Sequence, residues 1–267
     1  MSLRIKFFCR SFNKELYLLS RRLYEDAGYP CVRLTDQTAD GYFFRMLEDE
    51  TCDIAINVDE DCFLTDLDAV LRLAQRVADE GWVNAGCSDA GKGCPRKGDA
   101  EVTNPFFNVF NLRLIRKAWN AYRLIPELRK DSYMGLEPYY NFFHWMVKTF
   151  PGKTLYLDNR KHLDGVTTLL YSPEGRLLCQ HTWFARQFSP SLLTRLFEGN
   201  DLKGVDHQRR INAVIDEVYG RRGLPRPAFS FIHRIGFGLD ASQRWAIKIP
   251  QRIANWPNKL RRRFTGH

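Results

Sequence analysis

Short apolar runs and segments of helical spacing alternate three times between residues 3 and 80. The apolar runs predict buried strands at residues 3–9, 30–34 and 53–58. The intervening segments predict helices that begin after Asn13, at Gly41 and at Thr65, with Asp68 as the capping-box partner of Thr65. Consecutive parallel strands need such helical crossovers. The alternation therefore predicts an α/β fold with a mainly parallel sheet flanked by helices on both faces.

The rest of the chain is less regular. Strand-like runs follow at residues 106–112, 153–157 and 176–179, and helical spacing is found at residues 113–122 and 137–148. From residue 189 onward the pattern indicates helices and loops. We therefore divide the chain into an α/β domain over residues 1–188 and a helical C-terminal region over residues 189–267, which ends in a basic tail. With 267 residues, 44% of them hydrophobic, the chain can bury a substantial core.

The positive charge of the chain is concentrated near its C-terminus. The formal net charge is +9, yet residues 221–267 contain eleven Lys or Arg and a single acid, Asp240. The preceding residues are consequently close to neutral. The pI of 9.3 therefore describes the tail and gives no reason to expect a core that binds nucleic acid.

The sequence lacks the marks of a secreted or membrane-spanning protein. No apolar run approaches the roughly 20 residues that span a bilayer, and the N-terminus lacks the zones of a secretory signal. Seven cysteines are scattered from Cys9 to Cys179 without a CxxC pair, which favours reduced thiols over disulfides or a zinc site. We predict a cytoplasmic protein.

The stretch DIAINVDEDCFLTDLD places a cluster of carboxylates directly after an apolar run. Side chains alternate along an extended segment, so Asp59 and Asp61 point to one side and Glu60 to the other. Two carboxylates placed in this way can share a hard divalent cation, which offsets their repulsion and leaves positions for phosphate oxygens. Asp66 and Asp68 are assigned to the first turn of the following helix, where acids are favoured. We predict Mn²⁺ or Mg²⁺ at Asp59 and Asp61, carrying a diphosphate.

The order of these elements and the sequence NVDED resemble the GT-A (Rossmann-like) fold of nucleotide-sugar glycosyltransferases, in which a D-x-D motif binds a metal after a central strand. Asp59 and Asp61 stand at the matching positions, and the resemblance covers residues 3–187. It implies a metal-dependent glycosyltransferase that moves a sugar from a nucleotide-diphosphate sugar to a glycan or lipid-linked acceptor, in the synthesis of surface polysaccharide. It names no particular family within the fold.

The resemblance implies roles for two further side chains. An arginine on the helix before the motif is directed at the donor phosphates in such families, and Arg45 in YFFRMLED is similar to it; a solvated helical arginine is the alternative. A histidine near the end of the catalytic domain completes the metal shell, and His181 in LLCQHTWFAR resembles it. The alternative for His181 is a hydrogen bond to a core carbonyl, and His162 is a second candidate ligand.

The resemblance also places the donor nucleotide near the ends of the first two strands. The candidates there are Arg10, Ser11, Thr35 and Asp36, with loop capping as the alternative role for Ser11 and Asp36. Asn108 in NPFFNVFNL is a candidate for the hydroxyls of the donor sugar, or else a structural amide. The Gly- and Lys-rich segment 86–99 is either a loop that closes over the donor or a mobile surface loop.

An inverting transfer needs a carboxylate that deprotonates the acceptor hydroxyl. Glu137 in YMGLEPYYNFFHW is the candidate, because it precedes a proline at a predicted helix start and stands near aromatic residues that can stack on sugar rings. An acid at a helix start without a catalytic role is the alternative, and Asp89 and Asp158 are further candidates. A retaining enzyme would need no such base, so the stereochemistry stays open.

The basic tail carries an amphipathic stripe. Apolar residues recur at steps of three or four from Trp245 to Phe264 with Lys and Arg between them, while Pro250 and Pro257 divide the segment into short helices. Tryptophan beside arginine on such a stripe suits the interface of an anionic membrane. We predict peripheral attachment to the inner face of the membrane. An arm that packs on the core or on a second subunit is the alternative.

Two other classes compete with the glycosyltransferase. A haloacid-dehalogenase-like phosphatase carries its D-x-D near the first strand, and a nucleotidyltransferase would need a Gly-rich loop there, whereas CRSFNKE contains no glycine. A nucleic-acid binder would use the basic tail, but the near-neutral core and the apolar stripe disfavour it.

Overall fold

The computed structural model of the chain describes residues 3–25, 28–35, 41–95, 98–123, 139–189 and 205–240. Asp36, Glu137 and the basic tail after residue 240 lie outside these residues.

Strands and helices alternate along the described chain as far as residue 59. The strands are β1 (Ile5–Arg10), β2 (Cys31–Leu34), β3 (Ile54–Asp59), β4 (Cys62–Leu64), β5 (Asn84–Ser88), β6 (Thr103–Asn111), β7 (Thr154–Tyr156), β8 (Asn159–Lys161), β9 (Thr168–Tyr171) and β10 (Leu177–His181). The helices are α1 (Lys14–Glu25), α2 (Gly41–Glu48), α3 (Leu67–Asp79), α4 (Leu112–Arg123), α5 (Tyr139–Thr149) and α6 (His207–Arg222), with a short 3₁₀ helix at Ala185–Gln187. A further helix over residues 231–240 is called the 231–240 helix.

Six strands form the main sheet in the order β2-β1-β3-β6-β5-β7. β1 pairs in parallel with β2 and β3, and β5 pairs in parallel with β7, while β6 runs antiparallel to both of its neighbours. Every strand of this sheet except β6 therefore points the same way. The predicted α/β fold with a mainly parallel sheet is confirmed, and β6 begins at Thr103, earlier than the sequence predicts.

Alternate side chains of the central strands enter two separate apolar clusters, one on each face of the main sheet. In β3, Ile54, Ile56 and Val58 enter the first cluster, and Ala55 enters the second. Helices α1, α3 and α6 contribute to the first cluster, and α2, α4 and α5 contribute to the second. Both faces are covered, so β3 is buried along its whole length, and four of its six residues are apolar.

A second sheet connects the two halves of the chain. Its four strands follow the order β4-β10-β9-β8, and all of its pairings are antiparallel. β10 pairs with β4 so that His181 lies opposite Cys62. Because β4 begins at Cys62, just after β3 ends at Asp59, this pairing brings β10 to the carboxyl end of β3.

The start of α3 differs from the prediction by one residue. Asp66 is the N-cap, and its Oδ1 accepts a hydrogen bond from the backbone N–H of Ala69 at 2.9 Å. The predicted capping box of Thr65 and Asp68 is therefore wrong. The hydroxyl of Thr65 is used elsewhere, because it donates to the carbonyl of Leu177 in β10.

The Gly-rich segment after β5 is fastened to the second sheet. The N–H of Gly93 donates to Asn159 Oδ1 at 2.6 Å, and its carbonyl accepts the hydroxyl of Thr168 at 2.7 Å. A Cβ at Gly93 would lie 2.6 Å from the carbonyl oxygen of Arg160, so only glycine allows this approach. Neither closure over a donor nor free movement is expected of this part of the segment. Gly86, predicted as its first residue, lies in β5.

Helix α6 packs into the same core as the residues before it. Ile211, Val214 and Ile215 belong to the first apolar cluster, and the hydroxyl of Tyr219 donates to the carbonyl of Leu19 in α1 at 2.6 Å. The helical character predicted for this region holds for α6 and the 231–240 helix. The division of the chain at residue 188 stays a prediction.

All seven cysteines are free thiols, as their scattered spacing predicts. Six of them are buried.

Candidate metal centre

The carboxylate cluster lies at the carboxyl end of β3. Asp59 is the last residue of β3, and Glu60 and Asp61 form the turn into β4. These three residues are only 8%, 3% and 3% exposed, because the strands on either side of the turn are themselves buried. Buried carboxylates are costly unless positive charge or hydrogen-bond donors accompany them. Here the neighbouring side chains of His181 and Arg10 contact the carboxylates of Asp61 and Asp59.

His181 reaches the cluster from β10, at a separation of 120 residues from Asp61. Its Nε2 lies 3.1 Å from Asp61 Oδ1. One potential ligand atom from each of Asp59, Asp61 and His181 lies within 4.8 Å of the other two, and all three residues are buried. The structure thus brings together the three residues that the sequence singles out as metal ligands.

Arg10 forms a bidentate ion pair with Asp59. The two residues lie opposite each other in the parallel pairing of β1 with β3. Arg10 Nε donates to Oδ1 of Asp59 at 3.0 Å, and Nη2 donates to Oδ2 at 2.7 Å. This is the planar geometry in which guanidinium binds carboxylate most strongly. The sequence assigns Arg10 to the donor, whereas the structure places its charge directly on the cluster.

The three acids differ in their tendency to ionise. Burial, together with the negative charges of Asp61 and Asp59, raises the pKa of Glu60 to about 8. Burial also raises the pKa of Asp59, against the opposing effect of Arg10. Burial acts on Asp61 as well, but the charge and hydrogen bond of His181 outweigh it, so the pKa of Asp61 is lowered. These shifts favour the ionised form of Asp61 and the protonated form of Glu60.

The ligand set fits a divalent cation. Carboxylate oxygens suit Mn²⁺ and Mg²⁺, and imidazole suits the transition metals. Nδ1 of His181 is buried without a hydrogen-bond partner among the described residues. The tautomer with hydrogen on Nδ1 would present the lone pair of Nε2, which faces Asp61, to an ion. Such an ion would share Asp59 with Arg10.

Two aromatic rings fix the orientation of the His181 imidazole. Phe106 of β6 stacks on it with a centroid distance of 4.3 Å and an interplanar angle of 14°. Trp183 packs beside it at 4.4 Å. These rings hold the imidazole between apolar surfaces, so water has little access to it.

The turn that follows His181 has a strained backbone. Trp183 and Phe184 have φ values of 58° and 57°, in the left-handed region that costs a non-glycine residue about 1–2 kcal/mol. Two side-chain hydrogen bonds hold this turn. Nε1 of Trp183 donates to the hydroxyl of Thr168 at 2.8 Å, and Arg210 Nη2 donates to the carbonyl of Trp183 at 3.2 Å. The position of His181 thus depends on residues from β9 and α6.

Arg210 is a site residue that the sequence reasoning misses. Its side chain is 7% exposed, and its Nη1 donates to the hydroxyl of Thr167 at 2.9 Å and lies 3.4 Å from Asp164 Oδ2. Burial lowers its pKa. The sequence feature that could have identified Arg210 is its position on α6, where it lies on the same face as the buried residues Ile211 and Val214. A charge on an apolar helix face indicates a buried partner.

Ser11 and Arg45, both predicted to bind the donor, have partners within the protein. Ser11 is buried after the end of β1, and its hydroxyl accepts from Arg33 Nε at 3.1 Å. Arg45 is exposed on α2, and its Nη1 lies 3.8 Å from Glu48 Oε2. The geometry of Arg45 is that of the solvated helical arginine named as its alternative.

Asn108 is buried in β6 and is engaged at both ends of its amide. Its Nδ2 donates to the carbonyl of Asn104 at 2.8 Å, and its Oδ1 accepts the hydroxyl of Thr103 at 2.6 Å. These contacts correspond to the structural amide named as its alternative.

Neither His162 nor Asp158 joins the cluster. Asp36 and Glu137 lie outside the described residues. His162, the second candidate ligand, has its Nε2 at 3.3 Å from Glu217 Oε2. Asp158 is exposed.

No protein-family model and no curated protein sequence matches the chain. Among solved structures it is similar to a glycosyltransferase involved in the glycosylation of the major capsid of PBCV-1, at 12% identity over 58% of this chain and 81% of that chain, with a TM-score of 0.40. It is also similar to the glycosyltransferase GlyE of Streptococcus pneumoniae, at 14% identity over 59% of this chain and 46% of that chain, with a TM-score of 0.40. A cytidylyltransferase from Leptospira borgpetersenii is similar at 11% identity over 86% of this chain and 100% of that chain, with a TM-score of 0.38.

The fold is GT-A-like. A mainly parallel sheet lies between helices, and the D-x-D residues follow a central strand, as the resemblance seen in the sequence implies. Of these three structures, two are glycosyltransferases and one is a nucleotidyltransferase. Similarity at this level carries neither a substrate nor a reaction over to this chain.

Proposed function

We propose that the protein is a metal-dependent glycosyltransferase that moves a sugar from a nucleotide-diphosphate sugar to a glycan or lipid-linked acceptor. One observation carries the proposal: Asp59, Asp61 and His181, which come from a strand end, a turn and a second sheet, place three ligand atoms within 4.8 Å of one another. The cluster lies at the carboxyl ends of parallel strands, where ligands bind in open α/β sheets.

The residues of the cluster have two roles, which are to bind the metal ion and to add positive charge beside it. Asp61, whose lowered pKa favours the ionised form, and His181, fixed between aromatic rings, would hold the ion together with Asp59. Mn²⁺ suits a set that includes imidazole better than Mg²⁺ does. When bound, such an ion supplies positive charge to the leaving diphosphate. Arg10 orients Asp59 and adds a second positive charge at the same place.

The acceptor side of the proposal rests on the sequence. We assign Glu137 as the base that takes the proton from the acceptor hydroxyl in an inverting transfer. The donor base is placed near the ends of β1 and β2, beside Ser11 and Asp36, and Arg45 is retained as a candidate for the donor phosphates. Asn108 is left out of the donor site because its amide is engaged within β6.

The proposed cellular setting is the cytoplasmic face of a membrane, in surface-polysaccharide synthesis. The support is the sequence of the tail, in which apolar residues alternate with Lys and Arg. No helix among the described residues is both long and apolar enough to cross a membrane. No role in binding nucleic acid is proposed.

The proposal is tested by metal binding in the purified protein. Titration of Mn²⁺, followed by the electron paramagnetic resonance signal of the free ion, is expected to show a saturable site. UDP or GDP should raise the thermal midpoint only when Mn²⁺ or Mg²⁺ is present. Asp61→Asn should weaken Mn²⁺ binding by at least about tenfold, with the far-UV circular dichroism spectrum unchanged.

Asp68→Asn is the matched control. Asp68 belongs to the same acidic stretch but is exposed in the first turn of α3, so this variant should bind Mn²⁺ like the wild type. Equal binding by wild type and Asp61→Asn would contradict the metal centre. A screen of nucleotide-sugars for released nucleoside diphosphate, beside a screen of nucleoside triphosphates for released pyrophosphate, separates the glycosyltransferase from a nucleotidyltransferase.

A further inference from the structure

The 231–240 helix turns an apolar side away from the protein. Its exposed large apolar residues are Phe231 (78% exposed), Ile232 (79%), Ile235 (50%) and Leu239 (61%). At about 100° per residue, these positions fall within an arc of about 100° on the helix surface. A surface helix ordinarily presents such a stripe to the core. Here the stripe is exposed, and these four residues are called the outer stripe.

The opposite side of the helix is anchored to the protein. The ring of Phe237 lies 5.2 Å from that of Phe229, which packs against the first apolar cluster. Asp240 Oδ2 accepts a hydrogen bond from Arg33 Nη2 at 3.3 Å, and Nε of the same arginine donates to the hydroxyl of Ser11. These contacts hold the outer stripe outward. They also place the last turn of the helix beside the carboxyl ends of β1 and β2, the sheet edge that carries the metal centre.

The sequence around the outer stripe is basic. Arg234 is exposed on the helix, and residues 241–267 contain seven Lys or Arg and no Asp or Glu. The single acid of residues 221–267, Asp240, is paired with Arg33 on the inner side. An apolar stripe accompanied by cations is complementary to a surface that is apolar inside and anionic outside. Nucleic acid would match the charge but would leave the apolar stripe in water.

We infer that the outer stripe docks onto a bilayer that contains anionic lipids. Its four side chains enter the headgroup region, and Arg234 and the basic tail contact the anionic headgroups. The inference rests on the membrane association in the proposed function and adds to it a defined surface. Docking by this surface brings the sheet edge with the metal centre near the lipid, where a lipid-linked acceptor would be found.

The test is co-sedimentation of the full-length protein with vesicles, without metal or nucleotide. Vesicles of phosphatidylcholine with about one third phosphatidylglycerol should bind the wild type, and raising the salt from about 0.1 M to about 0.5 M should weaken binding because the charges are screened. The double variant Ile232→Ser/Ile235→Ser should partition into these vesicles at least about tenfold less. Leu163→Ser is the matched control. Leu163 is also a fully exposed apolar residue (101% exposed), and it is far from the 231–240 helix in sequence. This variant should bind like the wild type.

Several outcomes would overturn the inference. It fails if the double variant binds as the wild type does, or if pure phosphatidylcholine vesicles bind equally well. It also fails if no vesicle binds. In that case, a dimer in light scattering that the double variant dissociates would identify the outer stripe as a contact between two copies. All these measurements omit metal and donor. A negative result would therefore contradict the docking surface without contradicting the metal-binding test of the proposed transferase.

Discussion

Replacing Arg210 by methionine tests whether a buried guanidinium holds the turn that follows His181. Methionine keeps most of the apolar stem and removes the charged group. The lost contacts are the hydrogen bonds to Thr167 Oγ1 at 2.9 Å and to the carbonyl of Trp183 at 3.2 Å. The 3.4 Å contact with Asp164 and the 3.3 Å contact of Nη2 with His207 Nδ1 are lost as well. The side chain is 7% exposed, so water does not replace these contacts freely.

The expected loss of stability is about 3 kcal/mol. A hydrogen bond from a charged group contributes about 1.5–3 kcal/mol, and breaking a buried ion pair costs about 3–5 kcal/mol. Two features reduce the sum. Asp164 keeps the hydroxyl of Thr167 and the N–H groups of Val166 and Thr167 as donors, and Nε of Arg210 is buried without a partner among the described residues, a cost that the substitution removes. A value near the lower end of the ion-pair range follows.

The assay is urea unfolding followed by circular dichroism, with Arg209→Met as control. Arg209 is the preceding residue in α6 and is exposed, so its substitution should change the free energy of unfolding by less than about 0.5 kcal/mol. If Arg210→Met were no less stable than Arg209→Met, the guanidinium would not hold the turn, and the account of how His181 is positioned would be refuted.

Two further predictions concern sites away from the metal centre. The hydrogen bonds of Arg4 lower the pKa of Asp53 to about 2, so the pair stabilises the fold above about pH 4 and this stabilisation is lost as the pH falls towards 2. Asp53→Asn should cost about 1 kcal/mol at pH 7, allowing for the exposed Arg4 side chain, and less near pH 3 in urea unfolding; an equal loss at both would contradict the linkage. Gly93→Ala should destabilise the fold by about 1–3 kcal/mol, because its Cβ would lie 2.6 Å from the carbonyl oxygen of Arg160. Gly220→Ala in α6, with nothing within 4 Å of its Cβ, should instead raise the thermal midpoint, and similar midpoints for the two variants would show that the Gly93 segment is not fastened.

The fold of the first eighty or so residues follows from local patterns. The run from Ile54 to Val58 is apolar except for Asn57 because both of its faces are covered, and this is why its parallel, central place can be read without a structure. The N-terminus of α3 shows that local patterns do not decide which residue caps a helix. Thr65 and Asp66 are both residue types that are favoured as N-caps. Asp66 caps the helix, because the hydroxyl of Thr65 donates to the carbonyl of Leu177 in β10.

The sequence by itself determined the alternation of strands and helices, the acids after β3 and the concentration of basic charge at the C-terminus. These features depend on residues close together in the chain, where periodicity and composition reflect burial directly. Only the tertiary structure decided that Arg10 pairs with Asp59, through the register of the parallel strands β1 and β3. It also decided that His181 contacts Asp61, 120 residues earlier in the chain, through the pairing of β10 with β4. It also decided that the 231–240 helix turns its apolar stripe outward. A local pattern shows that a helix has an apolar side, but the direction in which that side points is set by contacts such as that of Arg33 with Asp240, which are distant in the chain.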